Sequence, residues 1–267
     1  MRKRSKPRAY EAAALLALSL LASASCSPQP PLHLIVFLEA TPYPVINDRL
    51  LQTHLRPLYE RLAPTERAVN LEVYAISGNT EGETALLQLT LDEGVKTDDD
   101  ATILAQQFQV LGERFNRVYA DGGYLVDVLG ASILLDRFLG STGEAPVEAI
   151  FISDMVQQED TEGYDFTEEK RGRTLDQCRA DLESGLGTHL VNRKQFSHVR
   201  VHLVPINLPG IRRELAAGST KIVSASITNM DEIQTFWTRD FFRNFLRVQD
   251  VKSYSGGTET LWSGLGL

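Results

Sequence analysis

Two carboxylates stand just after apolar runs of the kind that form buried strands. Glu39 ends the run that begins at Leu34, and Asp154 follows a second run and one serine. Hydroxyl groups stand two and four residues after Glu39, at Thr41 and Tyr43. Oxygen ligands gathered at the end of a strand are what Mg²⁺ requires. The pattern therefore raises two alternatives, a cation site or a turn whose carboxylates cap neighbouring backbone.

Other residue types that support catalysis or metal binding are sparse. His198 and His202 are the one close pair of histidines. They lie in a predicted strand and the residues that lead into it, where both side chains would point to the same side. No further Cys or His stands at ligand spacing, so the sequence does not favour zinc. The sequence also has no nucleophile elbow, phosphate-binding loop or dinucleotide glycine pattern. We therefore expect no enzyme, with a carboxylate-based hydrolase using Glu39 and Asp154 as the alternative from that class.

Strands and helices alternate along the chain. Buried apolar runs and helical spacing of apolar residues distinguish the two. The predicted strands are Leu34–Leu38, Val69–Ile76, Thr84–Leu91, Val147–Ile152, Val199–Val204 and Thr220–Ile227. The predicted helices are Asn47–Leu62, Asp98 to about Tyr119, Leu125–Leu139, Leu175–Leu186 and Met230–Val248.

This alternation predicts a three-layer, doubly wound α/β fold with a mostly parallel sheet. A turn cluster from Ser77 to Gly82 makes the second and third strands a hairpin, so one edge strand is antiparallel. The acidic run Asp98–Asp100 is interpreted as a helix start and not as a metal site, because carboxylates favour the positive end of a helix dipole. Ligands of such sheets bind at the carboxyl ends of the strands, where Glu39 and Asp154 lie.

The first 26 residues have the features of an export signal. Five basic residues precede an apolar stretch from Ala12 to Ala22, which is shorter than the roughly 20 residues of a membrane span. Removing this segment takes away five of 27 basic residues and one of 35 acidic ones, which leaves a net charge of about −12. A body this acidic is not expected to bind nucleic acid.

The end of the signal resembles the bacterial lipobox, in which a small residue precedes a cysteine that becomes lipid-modified. Ala24 and Ser25 before Cys26 fit that pattern, whereas Ser23 replaces the usual aliphatic residue. We expect a lipid anchor on Cys26 in the cell envelope, with ordinary cleavage and a secreted or periplasmic protein as the alternative. A Pro-rich spacer follows at residues 27–31. The second cysteine, Cys178, is then a packing residue, or pairs with Cys26 if no lipid is attached.

The order of elements from residue 32 to 250 resembles the von Willebrand factor type A family. The early hairpin, the fourth-strand motif Ile150–Met155 and a last helix with Phe236–Trp237 and Phe241–Phe242 are similar to extracytoplasmic bacterial members. That resemblance implies an α/β domain that binds another macromolecule. The glycine content after Ser253 predicts a weakly ordered tail over residues 251–267.

The family's metal-ion-dependent adhesion site is carried over only in part. Its Asp-x-Ser-x-Ser motif falls on Glu39, Thr41 and Tyr43, and its last aspartate on Asp154. Its loop threonine falls near Gly122–Tyr124, where the sequence has no threonine. Glu39 is one methylene longer than aspartate, and Mg²⁺ demands near-ideal octahedral geometry. The resemblance thus implies a degenerate site and no cofactor, with Mg²⁺ or Mn²⁺ held weakly by Glu39, Thr41 and Asp154 as the alternative.

The expected function follows from this placement. We expect a protein partner to bind the loops at the carboxyl ends of the strands. The loop residues expected to make contact are Thr41, Tyr43, Gly123 and Asp154. Membrane attachment would come from the lipid on Cys26.

Overall fold

The computed structural model describes residues 31–65, 67–78, 80–92, 97–118, 126–142, 145–158, 163–166, 173–184, 193–206, 230–255, 257–265 and 267. The predictions for the export signal, Cys26, Gly123 and the strand Thr220–Ile227 concern residues outside this set. None of the described helices combines the length and apolar composition that a membrane crossing requires.

Six of the described segments form one sheet. These strands are β1 (Leu32–Glu39), β2 (Val69–Ile76), β3 (Leu87–Leu91), β4 (Val147–Ser153), β5 (Val199–Pro205) and β6 (Asp250–Ser253). Their order in the sheet is β3-β2-β1-β4-β5-β6, with β2 and β3 antiparallel and the other neighbours parallel. The predicted mostly parallel sheet with one antiparallel edge strand is confirmed.

Helices cover both faces of this sheet. They are α1 (Pro44–Leu50), α2 (Arg56–Leu62), α3 (Asp98–Phe115), α4 (Val128–Thr142), α5 (Leu175–Ser184), α6 (Met230–Thr235) and α7 (Thr258–Gly264). α6 continues as a π-helix over Phe236–Phe245, so the helix predicted over Met230–Val248 is right in position but changes geometry after its first turns. Alternate side chains of β1 enter two separate cores, because successive residues of a strand point to opposite faces. Ile35 and Phe37 pack with residues of α4, whereas Val36 and Leu38 pack with residues of α1, α3 and α7. The molecule is therefore a three-layer α/β structure.

The first helical segment changes geometry in its middle. Between α1 and α2 the chain forms a π-helical turn, Leu51–Leu55, in which the Arg56 N–H bonds to the Leu51 carbonyl. Pro57 lies in the first turn of α2 and has no N–H to donate. Prolines and π turns are both recognised positions at which a helix departs from regular geometry. The prediction of one helix over Asn47–Leu62 is thus right in position but misses this turn.

The acidic run before α3 starts that helix, as predicted. The Thr97 side chain accepts a hydrogen bond from the Asp100 N–H, and the Asp100 carboxylate accepts one from the Thr97 N–H. This reciprocal pair is a capping box. The carboxylates of Asp98, Asp99 and Asp100 lie in the first turn, where the helix dipole favours negative charge.

The end of the chain differs from the weakly ordered tail predicted over residues 251–267. β6 pairs in parallel with β5, and α7 places Leu261 and Trp262 fully inside the core. Residues Pro31–Leu267 form one compact unit. The burial of two large side chains decides the order of this segment, and its described glycines, Gly257 and Gly264, lie at the boundaries of α7.

Candidate functional site

The carboxyl ends of β1 and β4 form a topological switch point. These strands are neighbours, but the chain passes from β1 toward β2 on one side and from β4 toward β5 on the other. The two connections diverge and leave a crevice at this position, which is where open α/β sheets bind their ligands. Glu39 ends β1, and Asp154 directly follows β4. The structure thus brings these two predicted site residues together.

Glu39 is fully buried and joins the two strand ends. Its Oε2 accepts a hydrogen bond from the Ser153 hydroxyl at 2.7 Å and one from the Asp154 N–H at 2.9 Å. The Ser153 hydroxyl oxygen in turn accepts from the Met155 N–H at 2.8 Å. Hydrogen bonds to a carboxylate are stronger than neutral ones. The carboxylate therefore fixes the last residue of β4 and the two residues that follow it.

Thr41 is buried and bonds within its own loop. Its hydroxyl donates to the Asn47 Oδ1 at 2.9 Å, and its N–H donates to the same oxygen at 2.8 Å. The Asn47 side-chain amide returns a hydrogen bond to the Thr41 carbonyl at 2.8 Å. Asn47 lies in α1, so these three bonds hold the loop after β1 against the helix that follows it. Asn47 is a site residue that our sequence reasoning missed.

Asp154 begins a tight turn. Its Oδ1 accepts a hydrogen bond from the Val156 N–H at 2.9 Å, and its side chain is almost fully buried. The next residue, Met155, has φ of 64°, a left-handed conformation that is uncommon for a residue with a side chain. The Met155 carbonyl accepts from the Trp237 indole N–H at 2.7 Å. Trp237, one of the last-helix residues on which the resemblance depends, therefore fixes this turn.

A second polar cluster supports the same edge of the sheet. Asp127 caps α4 by accepting from the Gly130 N–H at 2.7 Å, and it also accepts from the Gln157 side chain at 3.1 Å. The Asp127 N–H donates to the Ser77 carbonyl after β2, and Gln157 accepts from the Leu129 N–H. Asp127 before a helix has the sequence pattern of an N-cap and could have been found from it. Gln157 is recognisable only from the folded structure.

Apolar side chains form the outer rim of the switch point. Tyr43 and Pro42 are partly exposed, and Val45, at the start of α1, is 64% exposed. Large exposed apolar residues of this kind are few among the described residues, the others being Ile103 and Val110 of α3. The site therefore has a rigid, hydrogen-bonded floor and a partly apolar rim.

The histidine pair differs from its prediction. His198 is exposed at the end of a 3-10 turn (Arg193–His198), whereas His202 is buried in β5. The His202 Nε2 lies 2.7 Å from the Glu148 Oε2, and its Nδ1 lies 3.1 Å from the Tyr254 hydroxyl. The turn ends between the two histidines, so strand alternation does not apply across them. Within the described ranges, no three His, Cys, Asp or Glu side chains are grouped to hold a metal ion.

Cys178 lies in α5 and is buried in the core that also contains residues of α4 and the aromatic side chains between Phe236 and Phe245. This position agrees with the interpretation of Cys178 as a packing residue. Cys26, the alternative disulfide partner, is outside the described residues.

Comparison with known proteins gives a likeness to solved structures alone. No family model matches the chain, and no curated protein matches it. A solved structure described as a von Willebrand factor type A from Catenulispora acidiphila is similar, with a TM-score of 0.35 and 11% sequence identity over 65% of this chain. The chain spans 33% of the length of that protein chain.

Proposed function

We propose that this chain is an exported protein of the cell envelope, anchored by lipid on Cys26, that binds another protein and is not an enzyme. The binding surface is formed by the loops at the carboxyl ends of the strands. Its contact residues are Tyr43 and Gly123, with Val45 added from its exposure, and the buried Thr41 and Asp154 hold these loops in place. Binding at this surface needs no metal ion.

The hydrogen bonding of Glu39 is the observation that carries this proposal. The carboxylate that stands first in the adhesion motif is fully buried and accepts hydrogen bonds from Ser153 and Asp154. The Thr41 hydroxyl is directed at Asn47. Mg²⁺ would need these oxygens in near-ideal octahedral geometry at about 2.0 to 2.1 Å. These oxygens already take part in hydrogen bonds within the protein, which supports a metal-independent surface, and the same bonds make the loops rigid.

The exposed rim supports a protein partner. Interface centres are enriched in aromatic and apolar residues and depleted in charge. Tyr43 and Val45 stand on such a rim above a floor whose hydrogen bonds are internal to the protein. A preorganised loop loses little conformational entropy on binding, so even a small apolar contact adds to affinity.

Exchange of one rim residue tests the proposal. Val45→Glu places a charge on the rim, and we expect it to abolish recovery of the partner from chemically crosslinked envelopes. Ile103→Glu is the matched control, because Ile103 is 53% exposed on α3. Equal recovery of the partner with both variants would refute the proposed surface.

A titration decides between this proposal and a weakened metal site. If Mg²⁺ or Mn²⁺ binds one-to-one to the purified protein and Asp154→Ala abolishes that binding, the surface is metal-dependent and the proposal is wrong on this point. Unchanged partner recovery in the presence of EDTA supports the metal-independent form.

A further inference from the structure

The C-terminal helix α7 is docked on the π-helical turn between α1 and α2. The Trp262 indole N–H donates to the His54 carbonyl at 3.0 Å, and the Thr258 hydroxyl lies 3.4 Å from the same oxygen. Leu261 and Trp262 are fully buried in the core that contains Leu55 and Leu58. At the surface, Arg61 donates to the Ser263 hydroxyl at 2.9 Å. The π turn thus provides a carbonyl that binds α7.

His54 lies at this docking contact as a buried imidazole. It is 7% exposed, and its Nδ1 lies 3.5 Å from the Thr258 hydroxyl. Glu259 is the one ionisable residue in the sequence of α7, and it is exposed. Within its own helical segment, Arg56 and Glu60 pair with each other at the surface, and Arg61 bonds to Ser263. Burial lowers the pKa of His54 from 6.5 to about 4.

The segment that precedes α7 is held separately. The Tyr254 N–H donates to the Leu203 carbonyl at 2.9 Å, and its hydroxyl lies 3.1 Å from the His202 Nδ1. Behind His202 stands the buried Glu148, which also pairs with Arg200. Between this anchor and α7 lies Gly257, whose φ is 93°. A glycine at positive φ can change conformation at low cost, so this residue is a suitable hinge.

We propose that α7 is an acid-released clasp, which leaves the π turn when His54 is protonated and turns about Gly257 while β6 stays in the sheet. A buried imidazolium without a paired carboxylate is costly, and undocking returns it to water. Release uncovers Leu261 and Trp262 and the apolar surface beneath them. Local opening of a terminal element below the energy of global unfolding is common in small domains.

The sign of the effect follows from proton linkage. Burial lowers the pKa of docked His54 to about 4, and release of α7 to water would return it toward the ordinary imidazole value of about 6.5. The released state therefore binds more protons below pH 6.5, so docking is strongest above pH 6.5 and weakens as the pH falls toward 4. At pH 5 the docking equilibrium should be about 30-fold less favourable than at pH 8.

Hydrogen exchange of the full-length chain tests the clasp. We would measure amide protection in α7 and in β4 at pH 8, 6 and 5, corrected for the pH dependence of intrinsic exchange. Protection in α7 should fall about 30-fold from pH 8 to pH 5 while protection in β4 is retained. Loss of protection in both elements together, or in neither, would overturn the proposal.

Two substitutions assign the effect to His54. His54→Gln removes the titrating group and should leave α7 protection unchanged between pH 8 and pH 5. His198→Gln, at an exposed histidine, should behave as the unmodified chain. If His54→Gln does not fold at pH 8, Trp262→Phe replaces it, because loss of the bond to the His54 carbonyl should shift release to higher pH. The variant that is used, His54→Gln or Trp262→Phe, is compared with the unmodified chain. Release of α7 at the same pH in the variant and in the unmodified chain would contradict the role of His54.

Discussion

Glu39 connects two strands that are far apart in the sequence. Its side chain reaches the Ser153 hydroxyl and the Asp154 N–H, 114 and 115 residues away. An aspartate at this position would be one methylene shorter. The length of glutamate, which the sequence suggests is a defect in a metal ligand, is what lets the carboxylate bond to the neighbouring strand end. The carboxylate thus joins two strand ends at a position where the sequence alone suggested a metal ligand.

Replacing this carboxylate should destabilise the fold. Glu39→Gln keeps the shape but turns two charge-assisted hydrogen bonds into weaker neutral ones, so we expect a loss of about 2 kcal/mol in the free energy of unfolding. Urea denaturation measures it. Glu60→Gln, in an exposed pair, is the control and should cost under about 0.5 kcal/mol. Equal effects of the two variants would show that Glu39 is not a structural carboxylate.

The metal-free interpretation also makes a prediction at the level of single residues. Calorimetric titration of the purified protein with Mg²⁺, and then with Mn²⁺, should show no saturable binding at millimolar concentration, because the candidate ligands already bond within the protein. One-to-one binding that Asp154→Ala removes would contradict the prediction.

At the scale of elements, apolar runs were sufficient to locate the central strands. β1 and β4 are buried on both faces, and each contains an apolar run, Leu34–Leu38 and Ala149–Ile152, that the sequence displays directly. In β5 the exposed Arg200 and the buried His202 interrupt the apolar residues, which still mark the strand. The π turn at Leu51–Leu55 was not recoverable in this way, because a single i→i+5 turn is too short to alter the apolar pattern of the whole segment. Pro57 was the available signal, since it removes a hydrogen-bond donor from the next turn.

The start of α3 gives a prediction for one element. Thr97→Ala removes the cap that accepts from the Asp100 N–H and should lower the free energy of unfolding by about 1 kcal/mol. Thr102→Ala lies within the same exposed helix and should change it little, because alanine has the higher helix propensity. Thermal unfolding of both variants measures the difference, and similar losses would mean that the cap does not stabilise α3.

At the scale of the whole molecule, the sequence predicted the layers and the antiparallel edge but not the full extent of the body. The hydrogen bonds from Ser153 and Asp154 to Glu39 form only because β1 lies beside β4. Local sequence patterns do not show which strands are neighbours. The C-terminal segment was misjudged because its glycines outweighed Leu261 and Trp262 in our interpretation. Both of these side chains are fully buried against helices that begin some 200 residues earlier.

Truncation tests this larger body. Removing residues 251–267 deletes all but the first residue of β6 and the whole of α7, and it exposes the core beneath Trp262, so we expect loss of cooperative unfolding. Truncation of a large buried side chain alone typically costs about 3 to 5 kcal/mol, a large part of a domain's stability. Removing Leu267 alone is the control and should cost much less, because Leu267 is only partly buried against this core. A truncated chain that unfolds cooperatively at the normal temperature would show that the body ends near residue 250.

The most direct test of the central claim is photo-crosslinking in intact cells. A photoreactive amino acid at Val45 samples the rim of the switch point, and one at Ile103 samples an exposed apolar position on α3. We predict a discrete crosslinked protein from position 45, not from position 103, and with the same yield after treatment with EDTA. No crosslink from position 45, equal crosslinks from both positions, or loss of the crosslink with EDTA would contradict a metal-independent binding surface at the ends of β1 and β4.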